Sequence, residues 1–145
     1  MGREVLDGEG LILGRMASGV AKRLLNEPET EIVIVNAERV VISGTKKYIL
    51  QEYKARRDRG SKEQGPFFPR VPDRIVKRTI RGMLPYKQGK GRAAFSRLKV
   101  YLGVPEAFEA EERQTMESAS AARLSRKYLT LGEVSEKLGW VPRQS

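Results

Sequence analysis

The sequence predicts an α/β fold: a three-layer αβα sandwich around a central, mostly parallel sheet of about four strands, with extended basic loops. Three observations predict it. The apolar pattern changes period along the chain in the order strand, helix, strand, helix, helix, strand, helix, the alternation of an α/β domain. Ile32-Val33-Ile34-Val35 is an unbroken run of β-branched residues, as in a parallel strand covered on both faces. Ala17, Val20, Ala21 and Leu24 recur at i, i+3, i+4, i+7, the stripe of a helix that packs on such a sheet. With 145 residues and 39% hydrophobic content, the chain has room for one domain with its own core. It reads as a single domain over 1–145, with a body at about 4–57 and 73–140, an extended basic Pro/Gly arm at 58–72, and a short C-terminal tail at 141–145.

The elements follow in order. Residues 5–13 alternate weakly and contain Gly8 and Gly10, a short strand with a turn. A helix covers 14–25, with Arg15 and Lys22 opposite its apolar stripe, and Asn26-Glu27-Pro28-Glu29 ends it. After the strand at 32–35, Asn36-Ala37-Glu38 interrupts and Val40-Val41-Ile42 resumes. Ser43-Gly44-Thr45 supplies a helix start, and the helix at 46–57 carries Ile49, Leu50 and Tyr53 on one side. Residues 58–72 have no period and contain Gly60, Gly65, Pro66, Pro69 and Pro72; an aperiodic loop of this length in a compact domain is either functional or disordered. A helix at 73–84 follows, ended by Pro85 and a turn at 89–91; Ala93-Ala94-Phe95 adds a further turn and 98–102 a strand. The stretch 106–126, acidic and then rich in Ala and Ser, has no assignable pattern. A last strand is expected at 127–129. Thr130 with Glu133 then matches a capping box before Val134 and Leu138.

The charge narrows the function. Lys and Arg number 28 against 18 Asp and Glu, for a net charge of +10. Residues 1–50 are neutral and 101–145 carry −1, whereas 51–100 carry +11. Solubility alone would intersperse both signs. A positive field confined to one third of the chain suits a polyanion, whether nucleic acid, an anionic membrane or an acidic protein. The sequence contains neither Cys nor His, which excludes disulfides, thiolate nucleophiles, Ser-His-Asp triads and zinc sites built on those ligands. No apolar run approaches the roughly 18 residues of a membrane span, and Met1-Gly2-Arg3-Glu4 opens no secretory segment. A soluble intracellular protein is expected.

The strongest local motif is the helix at 73–84. Arg74, Lys77, Arg78 and Arg81 stand at i, i+3, i+4, i+7 and fill an arc of roughly 100°, while Val76, Thr79, Ile80, Met83 and Leu84 fall on the other side. A merely solvated helix face mixes signs, with Glu four residues before Lys. Here the only acid is Asp73, at the N-terminus where the helix dipole favours it. Four cations on one face repel one another unless phosphates lie between them, and three of them are Arg, which grips phosphate bidentately. Lys54, Arg56, Arg57, Arg59 and Lys62 precede the Pro/Gly arm and Arg70 closes it. Lys87, Lys90 and Arg92 stand among Gly89 and Gly91, where a backbone can approach a ligand closely. Phe67, Phe68 and Tyr86 are interleaved; they either stack on unpaired bases or, for the phenylalanines, pin the arm to the core.

Other motifs fall short. Gly14-Arg15-Met16-Ala17-Ser18-Gly19 has the spacing of a phosphate-binding loop, but Val20-Ala21 stands where Lys-Ser/Thr is required. Glu27, Glu29 and Glu31 flank a proline turn, and Glu109, Glu111 and Glu112 read as a solvated acidic surface. Without His or Cys, neither group has a partner for general acid–base work. The competing classes are an RNA-modifying enzyme, which needs a pocket with a perturbed carboxylate; a DNA-bending protein; and a peripheral membrane protein, which needs exposed apolar residues opposite the cationic face.

Arg78-Thr79-Ile80-Arg81-Gly82-Met83-Leu84-Pro85, followed by Gly89-Lys90-Gly91-Arg92-Ala93-Ala94-Phe95, Leu98-Lys99-Val100-Tyr101 and Gly103-Val104-Pro105, closely resembles the ribosomal protein L13 family of the large subunit. Asn36-Ala37-Glu38, Ile42-Ser43-Gly44 and Leu13-Gly14-Arg15-Met16-Ala17-Ser18 resemble earlier signatures of that family, and Pro66-Phe67-Phe68-Pro69 is of archaeal or eukaryotic style. The resemblance runs from about residue 5 to 105 and returns near Thr130-Leu131-Gly132-Glu133. It implies a three-layer α/β fold bound to large-subunit rRNA, a structural and assembly role in translation, no catalysis, and a ribosome-bound cytoplasmic location. Its implied partners are large-subunit rRNA and neighbouring large-subunit ribosomal proteins, with no membrane and no small-molecule substrate. It implies no cofactor beyond structural Mg or K ions of the rRNA. Carried onto this chain, it places the basic residues of 54–62, the 74–81 helix face and the 87–99 turn, including Arg97 and Lys99, against rRNA.

Overall fold

The computed structural model describes residues 2–58, 71–123 and 127–142. β1 (Gly2–Asp7), α1 (Leu13–Asn26) and β2 (Thr30–Val35) form a parallel βαβ unit, with Val5 opposite Val33 and Leu6 opposite Ile34. The chain continues through β3 (Val41–Ser43), α2 (Lys46–Asp58), α3 (Pro72–Gly82), α4 (Gly89–Ser96), β4 (Leu98–Val100), β5 (Arg113–Gln114), β6 (Tyr128–Thr130) and α5 (Leu131–Lys137). The central sheet has the order β4-β2-β1-β5, and each of its pairings is parallel.

Side-chain alternation along β2 divides the interior in two. Ile32 and Ile34 join Leu6, Leu98 and Val100 in a cluster with Met16, Val20 and Leu24 of α1, Ile75, Val76 and Ile80 of α3, and Ala94 of α4. Val33 and Val35 point the other way, with Val5, onto Phe108 and the partly buried Tyr101 and Val104. The β-branched run is therefore covered on both faces, as its composition predicts. The larger cluster sits under helices. The smaller lies under a 3-10 turn, Glu106–Phe108, where Tyr101 and Phe108 meet at a centroid distance of 5.6 Å. Arg3 stacks 5.2 Å from the Phe108 centroid and pairs with Glu111. The acidic stretch that has no sequence pattern thus closes the second face of the sheet. It also supplies the edge strand β5, too short at two residues for a period of two to show.

β3 lies outside the central sheet. It pairs antiparallel with β6, Ile42 opposite Leu129. The turn that diverts it is Asn36-Ala37-Glu38. Asn36 is buried and left-handed at φ 58°, a conformation Asn tolerates better than other side chains that carry a Cβ. Its Nδ2 donates to Asp7 Oδ1 at 3.0 Å, its backbone N–H donates to the Gly103 carbonyl at 2.8 Å, and the Gly103 N–H donates to the Glu38 carboxylate at 3.0 Å. These bonds among Asp7, Asn36, Glu38 and Gly103 tie together the ends of β1 and β2 and the chain that leaves β4. The capping box forms as expected: Glu133 N–H donates to Thr130 Oγ1 at 3.3 Å, and Thr130 N–H to Glu133 Oε2 at 3.2 Å.

Candidate nucleic-acid interface

α3 is built from its ends inward. Pro72 occupies the first turn, where its missing N–H costs nothing, and Asp73 beside it complements the helix dipole. Ile75, Val76 and Ile80 are buried against α1 and the sheet, which turns Arg74, Arg78 and Arg81 to solvent. Lys77 is half-buried, its ammonium 5.6 Å from the Phe95 ring centroid, and this contact joins α3 to α4. Thr79 Oγ1 donates back to the Ile75 carbonyl at 2.9 Å. Met83, expected on the apolar side, is 43% exposed, because the helix ends at Gly82 and the next residue leaves the helical phase.

Elsewhere on the described surface four arginines have carboxylate partners, while Arg15, Arg92 and Arg113 have none. Arg3 pairs with Glu111, Arg23 with Glu4 and Glu27, Arg39 with Glu9, and Arg56 with Glu52. Among the described residues Arg74, Lys77 and Arg81 have no such partner. α1 and α2 each carry an i, i+4 ion pair, Arg23–Glu27 and Glu52–Arg56, the pairing of an ordinary solvated helix and one in which Arg74, Lys77 and Arg81 take no part.

The turn after α3 extends this face. Buried Leu84 anchors it, and the Arg81 guanidinium stacks 4.1 Å from the Tyr86 ring centroid. Arg78, Arg81, Gly82 and Tyr86 line an open depression of about 340 Å³. Lys87, Lys90 and Arg92 are exposed around it, and Arg92 Nη1 donates to the Lys87 carbonyl at 3.2 Å. Gly91 serves the fold rather than a ligand: a Cβ there would lie 1.9 Å from the Pro85 carbonyl oxygen and 2.7 Å from the Tyr86 nitrogen. The close approach read from its sequence is to the protein's own backbone. Gly82 was not among the sequence candidates; its one signal was a glycine inside a helical pattern.

The remaining candidates are distributed differently. Lys54 and Arg56 are exposed on α2, which packs on α5. Arg56 lies 5.1 Å from the ring centroid of Tyr53, whose phenol is pushed above its ordinary pKa chiefly by burial. Lys99 extends from β4 between Leu98 and Val100, and is exposed. Those neighbours point into the α1–α3 cluster, so Lys99 emerges on the opposite face of the sheet. Arg97 has its donors engaged within the fold: Nη1 donates to the Glu27 and Thr30 carbonyls at 2.8 Å each, and Nη2 to the Leu24 carbonyl at 2.5 Å. It closes the C-terminal end of α1 onto the start of β2. Arg97→Met should therefore lower stability by about 2–3 kcal/mol, measured as a shifted denaturant midpoint with an unchanged m value. The side chains of Arg57, Arg59, Lys62, Phe67, Phe68 and Arg70 lie outside the described residues.

Among the described residues no group of three or more carboxylates is placed to hold a metal ion, and no helix is long and apolar enough to cross a membrane. A second depression, between α2 and α5, mixes Lys46 and Lys137 with Glu133 and Glu136 over Leu50 and Leu129, and lacks the single sign of the α3 face.

The family model described as Ribosomal protein L13 matches residues 3–107, which include β1, α3 and the basic turn. A protein of Methanosarcina barkeri named large ribosomal subunit protein uL13 is 59% identical over 136 residues, covering 93% of this chain and 96% of its own. Proteins of the same name from Archaeoglobus fulgidus and Methanocaldococcus jannaschii are 52% and 50% identical, covering 94% and 93% of this chain and 87% and 96% of their own. The signatures in the sequence, the parallel sheet they fold into and the extent of these matches establish that the chain belongs to the ribosomal protein L13 family.

Proposed function

We propose that this chain is a structural constituent of the large ribosomal subunit. It binds and stabilises large-subunit rRNA through the cationic face of α3 and the basic turn after it, and so supports subunit assembly and translation. In this reading it is ribosome-bound in the cytoplasm, has rRNA and neighbouring large-subunit proteins as partners, uses no cofactor of its own and catalyses no reaction. The observation that supports it is the concentration of +11 in residues 51–100, together with a helix face whose Arg74, Lys77 and Arg81 have no carboxylate partner among the described residues. Phosphate groups of a folded RNA would relieve the repulsion among these side chains and release counterions as they do so.

The test is the salt dependence of binding to deproteinised large-subunit rRNA. If six to ten phosphates are engaged, affinity should fall by roughly 10³–10⁵ between 50 and 200 mM salt. Binding that ignores salt, or that duplex DNA competes away as well as rRNA does, would defeat the reading. In cell extracts the native protein should sediment with the large subunit and leave it in high salt.

A further inference from the structure

We propose that the depression lined by Arg78, Arg81, Gly82 and Tyr86 is a subsite for one unstacked RNA nucleotide, its base laid on the Arg81–Tyr86 pair and its phosphate held by Arg78. The inference rests on the rRNA-binding reading above and goes further, because a cationic face by itself recognises only phosphates.

Three observations converge. The depression is concave and measures about 340 Å³, whereas phosphate contact along a helix needs only a convex row of cations. Its wall is already a stacked pair, a guanidinium 4.1 Å from a phenol ring centroid, and bases stack readily on Arg planes and aromatic rings. Tyr86 is 36% exposed, so its ring is open to a stacking partner. The third observation is Gly82. It is the last residue of α3 and lines the depression beside Arg78, Arg81 and Tyr86. A Cβ there meets nothing within 4 Å, so the glycine leaves this wall of the hollow open. Filling that space would not disturb the protein; it would exclude an occupant.

Stacking and phosphate contact differ in their response to salt, and this separates the subsite from the surrounding field. Gly82→Ala and Tyr86→Leu should each weaken binding to deproteinised large-subunit rRNA by about ten-fold, by the same factor at every salt concentration. The slope of log K against log salt should stay at the wild-type value. Arg81→Lys keeps the charge but loses the plane, and should behave in the same way. Tyr86→Phe should bind like wild type. Arg78→Ala should reduce the slope by about one unit. Gly82→Ala should unfold no earlier than wild type, which excludes a folding defect as the cause of its weaker binding. If Gly82→Ala and Arg81→Lys bind rRNA as tightly as wild type, or if Tyr86→Leu changes the slope instead of the affinity, the subsite is wrong while the rRNA-binding reading stands. If the wild-type protein shows no salt-dependent rRNA binding, both fall.

Discussion

Replacing Arg74, Arg78 and Arg81 with Glu together is expected to reduce affinity for large-subunit rRNA by at least about 10³-fold and to leave a folded protein. The size follows from three charge-assisted hydrogen bonds at about 1.5 kcal/mol or more each, compounded by repulsion between the new carboxylates and the phosphates. The slope of log K against log salt should fall by about two to three units, because three phosphates are no longer neutralised. The fold should survive because all three side chains are exposed while Ile75, Val76 and Ile80 of the same helix remain buried. Two small penalties remain: a carboxylate in the last turn opposes the helix dipole, and the Arg81 stack on Tyr86 disappears. Together they come to about 1–2 kcal/mol. Far-ultraviolet circular dichroism and a thermal melt, run beside the binding titration, check both halves. Loss of the helical signal would show that the outward facing of α3 is misassigned.

Gly91→Ala is expected to damage fold and interface together. Its Cβ would lie 1.9 Å from the Pro85 carbonyl oxygen and 2.2 Å from its carbon. Both atoms are backbone, so no rotamer change relieves the overlap and the 85–86 segment must move. Such overpacking costs about 1–3 kcal/mol, or a fall in Tm of roughly 4–10 °C for a domain of this size. Because Tyr86 rides on the displaced segment, rRNA affinity should fall as well. Gly89→Ala is the matched control, since a Cβ at Gly89 meets nothing within 4 Å, and it should leave both Tm and affinity at wild-type values. Equal effects of the two substitutions would contradict the assignment of Gly91 to internal packing.

Legibility in the sequence followed the length and regularity of each element. α1 was readable because Ala17, Val20, Ala21 and Leu24 repeat one apolar stripe, and all four are buried. β2 was readable because an isoleucine–valine run satisfies both faces of a sheet at once. The cationic quartet of α3 was readable for the same reason, a helical period sustained over two turns. β5 was not, because two residues carry no period. Its place at the edge depends on pairing Val5 with Arg113, a contact between distant parts of the chain. The division of β3 from the main sheet was equally hidden, since it turns on the left-handed Asn36 and its bonds to Asp7 and Gly103.

The chain's amino-acid order by itself determined the α/β class, the sign and location of the charge, the exclusion of Cys- and His-based chemistry, and which helix carries the cations. These are properties of local periodicity and composition, and need no partner distant in sequence. Only the tertiary structure decided where particular basic residues and glycines sit. Arg97 points back onto three carbonyls of the α1–β2 connection, Lys99 leaves on the far face of the sheet, Gly91 admits the backbone of Pro85, and Gly82 leaves a hollow beside Arg81 and Tyr86. The physical reason is that a side chain's role depends on the atoms folded against it, and residue types alone do not state which atoms those are.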